Sequence, residues 1–372
     1  MSRTKTKNPF FIKGYHGEEF FCDRVEETGK LVRAVENGRD VTLIAPRRYG
    51  KTGLIHNAFS KFGPRIKTVY IDIYSIADLA SFTRLLASEV VSALDNPLVK
   101  AGREIVKFFK SCRPTATPTE DGIKWSFEVS PSEAGASLKE LFAYLKNYRG
   151  ECVIAIDEFQ QVREFPERGV EALLRGYIQN LDNIHFIFAG SRRHLMQQMF
   201  LAPRSPFYLS TEILSLEVID PGKYFDFAAA FFRKARKTCN RQAFDYLYGK
   251  FEGVTWFVQM VLNRVWEAGD GLRSSEDVDR AIEEIVATRE LEYHDLLFSQ
   301  SDSQRSLLRA IAAEGRVESP QAAAFIARYN LPASSTIGSA LKDLVERDIV
   351  YKDARGYIVY DRLLGEWLSS RI

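Results

Sequence analysis

Val41-Thr-Leu-Ile-Ala-Pro-Arg-Arg-Tyr-Gly-Lys-Thr-Gly-Leu-Ile55 decides how the chain is read. Its first four residues predict a buried strand, Gly50-Lys51-Thr52 a loop, and the residues beyond them the start of a helix. Residues 45–52 follow the pattern Gly, four variable residues, then Gly-Lys-Ser/Thr, except that Ala45 stands where the first glycine belongs. Such a turn wraps a phosphate in backbone N–H groups, and the positive end of the helix dipole favours the anion. Pro46, Arg47, Arg48, Tyr49, Gly50 and Gly53 are the expected wrapping residues. With ATP or ADP as the nucleotide, Lys51 would reach the β-phosphate and, in ATP, the γ-phosphate, and the Thr52 hydroxyl would sit on Mg²⁺. Alanine is small, so Ala45 implies an altered loop entry and not a lost site. The competing reading is a basic turn that holds nothing.

Glu151-Cys-Val-Ile-Ala-Ile-Asp157-Glu158 supplies the second half of the signal. Its apolar run predicts a central strand ending in two carboxylates, at the edge where open α/β sheets bind ligands. Asp157 is placed to hold Mg²⁺, directly or through water, and Glu158 to orient or deprotonate an attacking water. His185-Phe-Ile-Phe-Ala-Gly190-Ser191-Arg192-Arg193 predicts another buried strand with polar groups at its end. Ser191 or Arg192 could read the γ-phosphate there, or begin an ordinary helix.

The remaining segments arrange themselves around these strands. Residues 1–18 read as a loose tail leading to a docked apolar segment. A helix is expected from about Phe20 to Val35, and Arg24 at its start either folds over an adenine or is simply solvated. Helix 51–62, strand 67–74 and helix 79–94 continue a parallel-sheet rhythm. Residues 111–135, rich in Pro, Thr and Ser, read as a surface insertion with one alternating arm at 124–129. Helices 137–147 and 168–181 flank the acidic strand, and Glu212 to Val218 make a last strand. Arg204, in a Pro-rich loop, could serve a neighbouring subunit's nucleotide as an arginine finger. An all-helical lid follows at 221–298, with one helix expected over 276–296. The last segment, 299–372, reads as three helices (the third capped by Ser334 or Ser335) and a hairpin turning at 353–356, a winged helix-turn-helix. The fold class expected is therefore α/β: a parallel-sheet P-loop NTPase core over 19–220, a helical lid and a C-terminal winged helix-turn-helix.

A net charge of +2 gives no overall drive towards nucleic acid or an anionic membrane. Cysteines at 22, 112, 152 and 239 lack any paired ligand spacing and suit a reducing compartment. With no signal peptide and no long apolar run, the expectation is a cytoplasmic protein. The third helix of the winged segment mixes Lys342 and Arg347 with Asp343 and Glu346, so contact with protein is as well motivated as contact with DNA.

Phe21-Cys-Asp-Arg24, Ala45 to Thr52, Ile156-Asp-Glu-Phe-Gln160, Phe188-Ala-Gly-Ser191 and Tyr357-Ile-Val-Tyr-Asp361 with Trp367-Leu368 together resemble the archaeal-type P-loop ATPases of the STAND and AAA+ group, which are also widespread in gut bacteria. The resemblance spans nearly the whole chain. It implies ATP and Mg²⁺ binding with slow, switch-like hydrolysis. By likeness, Lys51 and Thr52 take the phosphates and metal, Asp157 the metal, Glu158 the water, and Arg192 a sensing role. The lid helix beginning near Gly253-Val-Thr-Trp256 lacks the proline often found there. Output would pass through a protein partner, self-assembly or DNA. A DNA clamp resembling origin-recognition ATPases and a non-catalytic nucleotide-bound scaffold are the alternatives.

Overall fold

The computed structural model describes residues 7–94, 105–119 and 122–371. They form two compact units, one spanning Lys13–Ile219 and the other Asp220–Ile372 together with the N-terminal residues up to Ile12.

The first unit is built on five parallel strands, β1 (Val41–Ile44), β2 (Ile66–Asp72), β5 (Glu151–Asp157), β6 (Ile184–Gly190) and β7 (Glu212–Ser215), in the order β2-β5-β6-β1-β7. Side-chain alternation assigns each face its own core. Ile154, Ile156, Phe186 and Phe188 pack with Leu86, Val90, Leu138 and Leu141 on one side. Val153, Ala155, Ile187 and Ala189 pack with Leu31, Leu54 and Ile55 on the other. Helices cover both faces, which is why β5 and β6 read as unbroken apolar runs.

Several boundaries depart from the sequence expectations. The first helix begins at Val25 and not near Phe20, because Asp23 and Arg24 both hold left-handed backbone (φ 55° and 63°) after a short turn at Glu18–Phe20. The helix after the phosphate loop stops at Phe59, the one before β6 spans only Val170–Ile178, and β7 stops at Ser215. Residues within the 111–135 insertion form an antiparallel hairpin, β3 (Arg113–Thr119) with β4 (Gly122–Glu128). It is docked, since Trp125 and Phe127 are buried in the core beside helix Leu79–Leu94. Pro114 and Pro118 cannot donate to a further strand, so they blunt its exposed edge.

In the second unit, helices Pro221–Lys234, Arg241–Lys250 and Thr255–Ala268 precede two helices where one was expected, Ser275–Ala287 and Glu290–Phe298. At the break the Thr288 hydroxyl donates to the Ile285 carbonyl, a local bond that competes with helix continuation. Phe10 is fully buried here against Phe231, Phe232 and Trp266; the Asn8 side chain donates to the Asn263 carbonyl, and the Asn263 side chain donates to the carbonyl of Phe10. Helices Asp302–Glu314, Ala323–Arg328 and Ser334–Glu346, the hairpin Val350–Asp353/Gly356–Val359 and helix Arg362–Ser369 complete the winged helix. The third of these helices is not capped by a serine: Ala333 precedes it, and the Ser334 hydroxyl donates instead to the Gln321 carbonyl. Gly356 is required in the hairpin, where a Cβ would stand 2.5 Å from the Val317 carbonyl oxygen. No helix among the described residues is long and apolar enough to cross a membrane.

Asp40 joins three strands just before β1. Its carbonyl accepts from Glu212 N–H and its carboxyl accepts from Phe186 N–H at 2.8 Å. Burial pushes its pKa up to about 6, although that hydrogen bond and Arg175 pull the other way. A carboxyl with a raised folded pKa destabilises the fold once ionised, so stability should fall as pH rises from about 4 through 6. Asp40→Asn keeps the acceptor and should be more stable than the parent above pH 6, by up to about 2 kcal/mol, with the gap closing towards pH 4. Denaturant unfolding at the two pH values measures it.

Candidate active site

β1 delivers the loop, and the helix Lys51–Phe59 leaves it with Gly50 as its N-cap. The first N–H groups of any helix lack an intrahelical acceptor, which makes this end a ready anion site. Gly50 sits at φ 86°, and nothing lies within 4 Å of where its Cβ would be. Ala45 is absent from the positive-φ residues; its methyl is buried between sheet and helices, and its N–H donates to the Gly190 carbonyl at 3.2 Å. Alanine thus replaces the pattern's glycine without backbone strain. Gly53 serves packing, since the Phe21 ring lies 3.2 Å from where its Cβ would be.

Lys51 is buried between two carboxylates. Its Nζ donates to Asp157 Oδ1 and, at 3.0 Å, to Glu158 Oε1. The Thr52 hydroxyl and the Tyr70 phenol each donate to Asp157 Oδ2 at 2.9 Å. Ser191 Oγ donates to Glu158 Oε2 at 2.6 Å, and Gln160 Nε2 donates to the same oxygen. Glu158 holds left-handed backbone (φ 58°, ψ 39°), a costly state for a residue with a side chain, which these bonds help to maintain. The pairing of β5 with β6 brings Ser191 to this edge, and that of β5 with β2 sets Asp72 beside Asp157.

The electrostatics follow from burial and proximity. Burial alone would lower the Lys51 pKa, but Asp157 and Glu158 outweigh it and hold the ammonium above its ordinary value. Burial would raise Glu158, yet Lys51, Ser191 and Gln160 hold its carboxyl below the usual range. Asp72, at the end of β2, is raised, first by desolvation and then by repulsion from Asp157 and Glu158.

Of the residues singled out from sequence, Lys51, Thr52, Asp157, Glu158 and Ser191 meet in this cluster. Arg24 does not join it. It is buried, donating to Glu27 and to the carbonyls of Glu217 (2.6 Å) and Tyr49 (3.4 Å), so it steadies the loop from behind. Arg47 lies over the Tyr74 ring at 4.9 Å, Arg48 has left-handed backbone (φ 74°), and Pro46 and Tyr49 complete the loop. Arg192 reaches Glu164 at 3.4 Å, outside the cluster, and Arg204 is exposed. Sequence reasoning misses Tyr70, Asp72 and Gln160. Tyr70 and Asp72 alternate on one strand that ends level with Asp157, a signal visible only once strand pairing is known.

Comparison with known proteins follows the same division. Residues 291–370 match the family described as "Probable winged helix domain". No curated protein sequence matches the chain. Among solved structures the chain is similar to a Walker-type ATPase of Pyrococcus abyssi, with TM-score 0.65, 18% identity, and coverage of 98% of this chain and 100% of that one. It is also similar to the Aeropyrum pernix ORC2 protein solved with ADPNP and ADP (0.59, 17%, 98% and 96%). The A. pernix ORC1 protein in complex with DNA gives 0.53 and 15%, covering 94% and 93%. The fold is thus that of the P-loop ATPases with a C-terminal winged helix.

Removing the central cation should be costly. Lys51→Met leaves Asp157 and Glu158 buried without a counter-charge and should destabilise the protein by about 3 kcal/mol near neutral pH. The folded pKa of Glu158 is depressed, so the stabilisation it gains is present above the ordinary carboxylate pKa and is lost as pH falls through the folded value. The difference between parent and variant in denaturant midpoint should therefore shrink in acid.

Proposed function

We propose that the chain is a Mg²⁺-dependent ATPase, of the STAND and AAA+ kind, in which nucleotide state drives a slow conformational switch read out through the winged helix. The carrying observation is the convergence of Lys51, Thr52, Asp157, Glu158 and Ser191 at the carboxyl edge of the parallel sheet, beside a helix N-terminus. The residues suit the nucleotide and its cation. Gly50 leaves open space above the loop, and the Thr52 hydroxyl and Asp157 carboxylate are adjacent hard oxygen ligands. Mg²⁺ usually takes one or two protein oxygens and completes its shell with phosphate and water, and would supply charge neutralisation here.

In this reading Lys51 exchanges its carboxylate partners for phosphate oxygens. Glu158, held by Ser191 and Gln160, orients a water for in-line attack and takes its proton at a carboxylate oxygen. Tyr70, donating to Asp157 Oδ2, would help orient that carboxylate, which would hold the cation together with the Thr52 hydroxyl. Arg192 acts as the sensing residue after rearrangement, Arg24 anchors the loop under the base, and Arg204 is available to a neighbouring copy. The division into a core at 19–220, a lid at 221–298 and an output domain at 299–372 belongs to the same proposal.

The charge pattern of the winged helix favours a protein output over DNA. On its third helix Lys342 lies 3.8 Å from Glu346, the helix's C-cap Arg347 lies 3.5 Å from Asp343, and Arg316 and the hairpin's Arg355 are engaged by Glu252. Phosphate binding needs cations that are not already matched.

Purified protein should hydrolyse ATP with Mg²⁺. Lys51→Ala should abolish ATP binding, and Glu158→Gln should retain it while turning over at least about a hundredfold more slowly. A Glu158→Gln protein as fast as the parent would overturn the assignment. Bound nucleotide without turnover in the parent would leave a scaffold, and stimulation by duplex DNA would move the clamp reading ahead.

A further inference from the structure

The second unit carries a cavity unconnected with the phosphate loop. Helices Glu290–Phe298, Asp302–Glu314 and Arg362–Ser369 enclose about 330 Å³. Leu297, Trp367 and Leu368 supply its apolar wall, and Arg305, Arg309 and Arg371 its charge. No Asp or Glu among the described residues lines it. Phe298 stands at the cavity 85% exposed, and Leu291, two turns earlier on the same helix, is 75% exposed. Arg371 lies over the Trp367 ring at 4.7 Å and pairs with Glu290, and Arg305 pairs with Asp302. Arg309 is exposed and forms no ion pair with any described acid.

We infer that this cavity is the docking site for an acidic peptide segment of a partner protein, one bulky apolar side chain of which enters the cavity while a flanking carboxylate meets Arg309. Three features select that occupant. The volume lies at the small end of ligand pockets and suits a single aromatic or branched side chain. An aromatic floor with arginines at its rim is the composition that concentrates binding energy in protein interfaces. Arg371 and Arg305 are already matched by Glu290 and Asp302, so the charge left for a partner is that of Arg309, which complements a carboxylate set beside the apolar side chain.

The elements involved also separate the site from duplex recognition. The cavity uses neither the third helix of the winged segment nor its hairpin, the parts that enter or flank a DNA groove in such domains. The cations on that helix are paired within the chain. The inference does not depend on ATP turnover.

A displayed library of short random peptides panned on the full-length protein tests it. Enriched sequences should combine Asp or Glu with Leu, Phe or Trp. A fluorescein-labelled consensus peptide should bind the parent with an affinity that falls as salt rises. Arg309→Glu and Phe298→Ser change exposed side chains, and each should weaken binding by about tenfold or more with ATP turnover and circular dichroism unchanged. Lys51→Ala should bind the peptide as the parent does, which separates failure here from failure of the ATPase reading. The inference is overturned if no acidic sequences enrich, or if binding survives both substitutions. It also falls if the same substitutions instead abolish binding of a labelled DNA duplex.

Discussion

A single buried ammonium organises the carboxyl edge of the parallel sheet. Lys51 sits between Asp157 and Glu158, and none of the three could be buried alone at tolerable cost. The contact joins a helix following β1 to the end of β5, although β6 lies between those two strands. The sheet order therefore supplies the gap that the lysine side chain spans, and Ser191, at the end of the intervening strand, falls next to Glu158. The arrangement is stable as found and also poised to change. The same carboxylates that hold Lys51 are those a cation and a water would need.

Much of this is readable from local pattern. The tail of the phosphate loop, the acidic end of β5 and the Gly190-Ser191 strand end are short motifs whose chemistry lies in residue order. Long apolar helices such as Leu79–Leu94 are equally plain. What cannot be read depends on pairing between distant segments. Tyr70 and Asp72 gain meaning only when β2 is placed against β5 in register. Gln160 is one polar residue among several until the left-handed turn at Glu158 folds it back. Arg24 reads in sequence as a residue over an adenine or a solvated helix start, and is instead buried against Glu27 and the carbonyl oxygens of Tyr49 and Glu217. The split at Thr288 leaves no mark in the sequence because the apolar spacing continues across it.

The winged helix shows the same logic in its electrostatics. In sequence its basic residues are mixed with acids and leave contact with DNA or with protein open. Side-chain geometry commits several of those charges to nearby carboxylates: Glu252 engages Arg316, Arg355 and Arg362. Arg309, which has no such carboxylate, stands elsewhere, beside an aromatic wall. Charge balance within the fold thus decides which surface can act on a partner.

The burial of Phe10 has a bearing on how the protein comes to be made. Its contacts with Phe231, Phe232 and Trp266 belong to a unit whose other residues begin at Asp220, while Tyr15, a few residues on, bonds to Asn57 in the sheet unit. During synthesis Phe10 has none of these aromatic partners until the segments carrying Phe231, Phe232 and Trp266 have emerged. The sheet unit can assemble as its strands appear, but the helical unit must close a chain loop that contains all of those strands before its core is complete. Loop entropy grows only logarithmically with length, so the equilibrium cost is modest and the delay is chiefly kinetic. The helical unit is in this sense a discontinuous domain, and it finishes folding by recovering a segment made before the sheet unit.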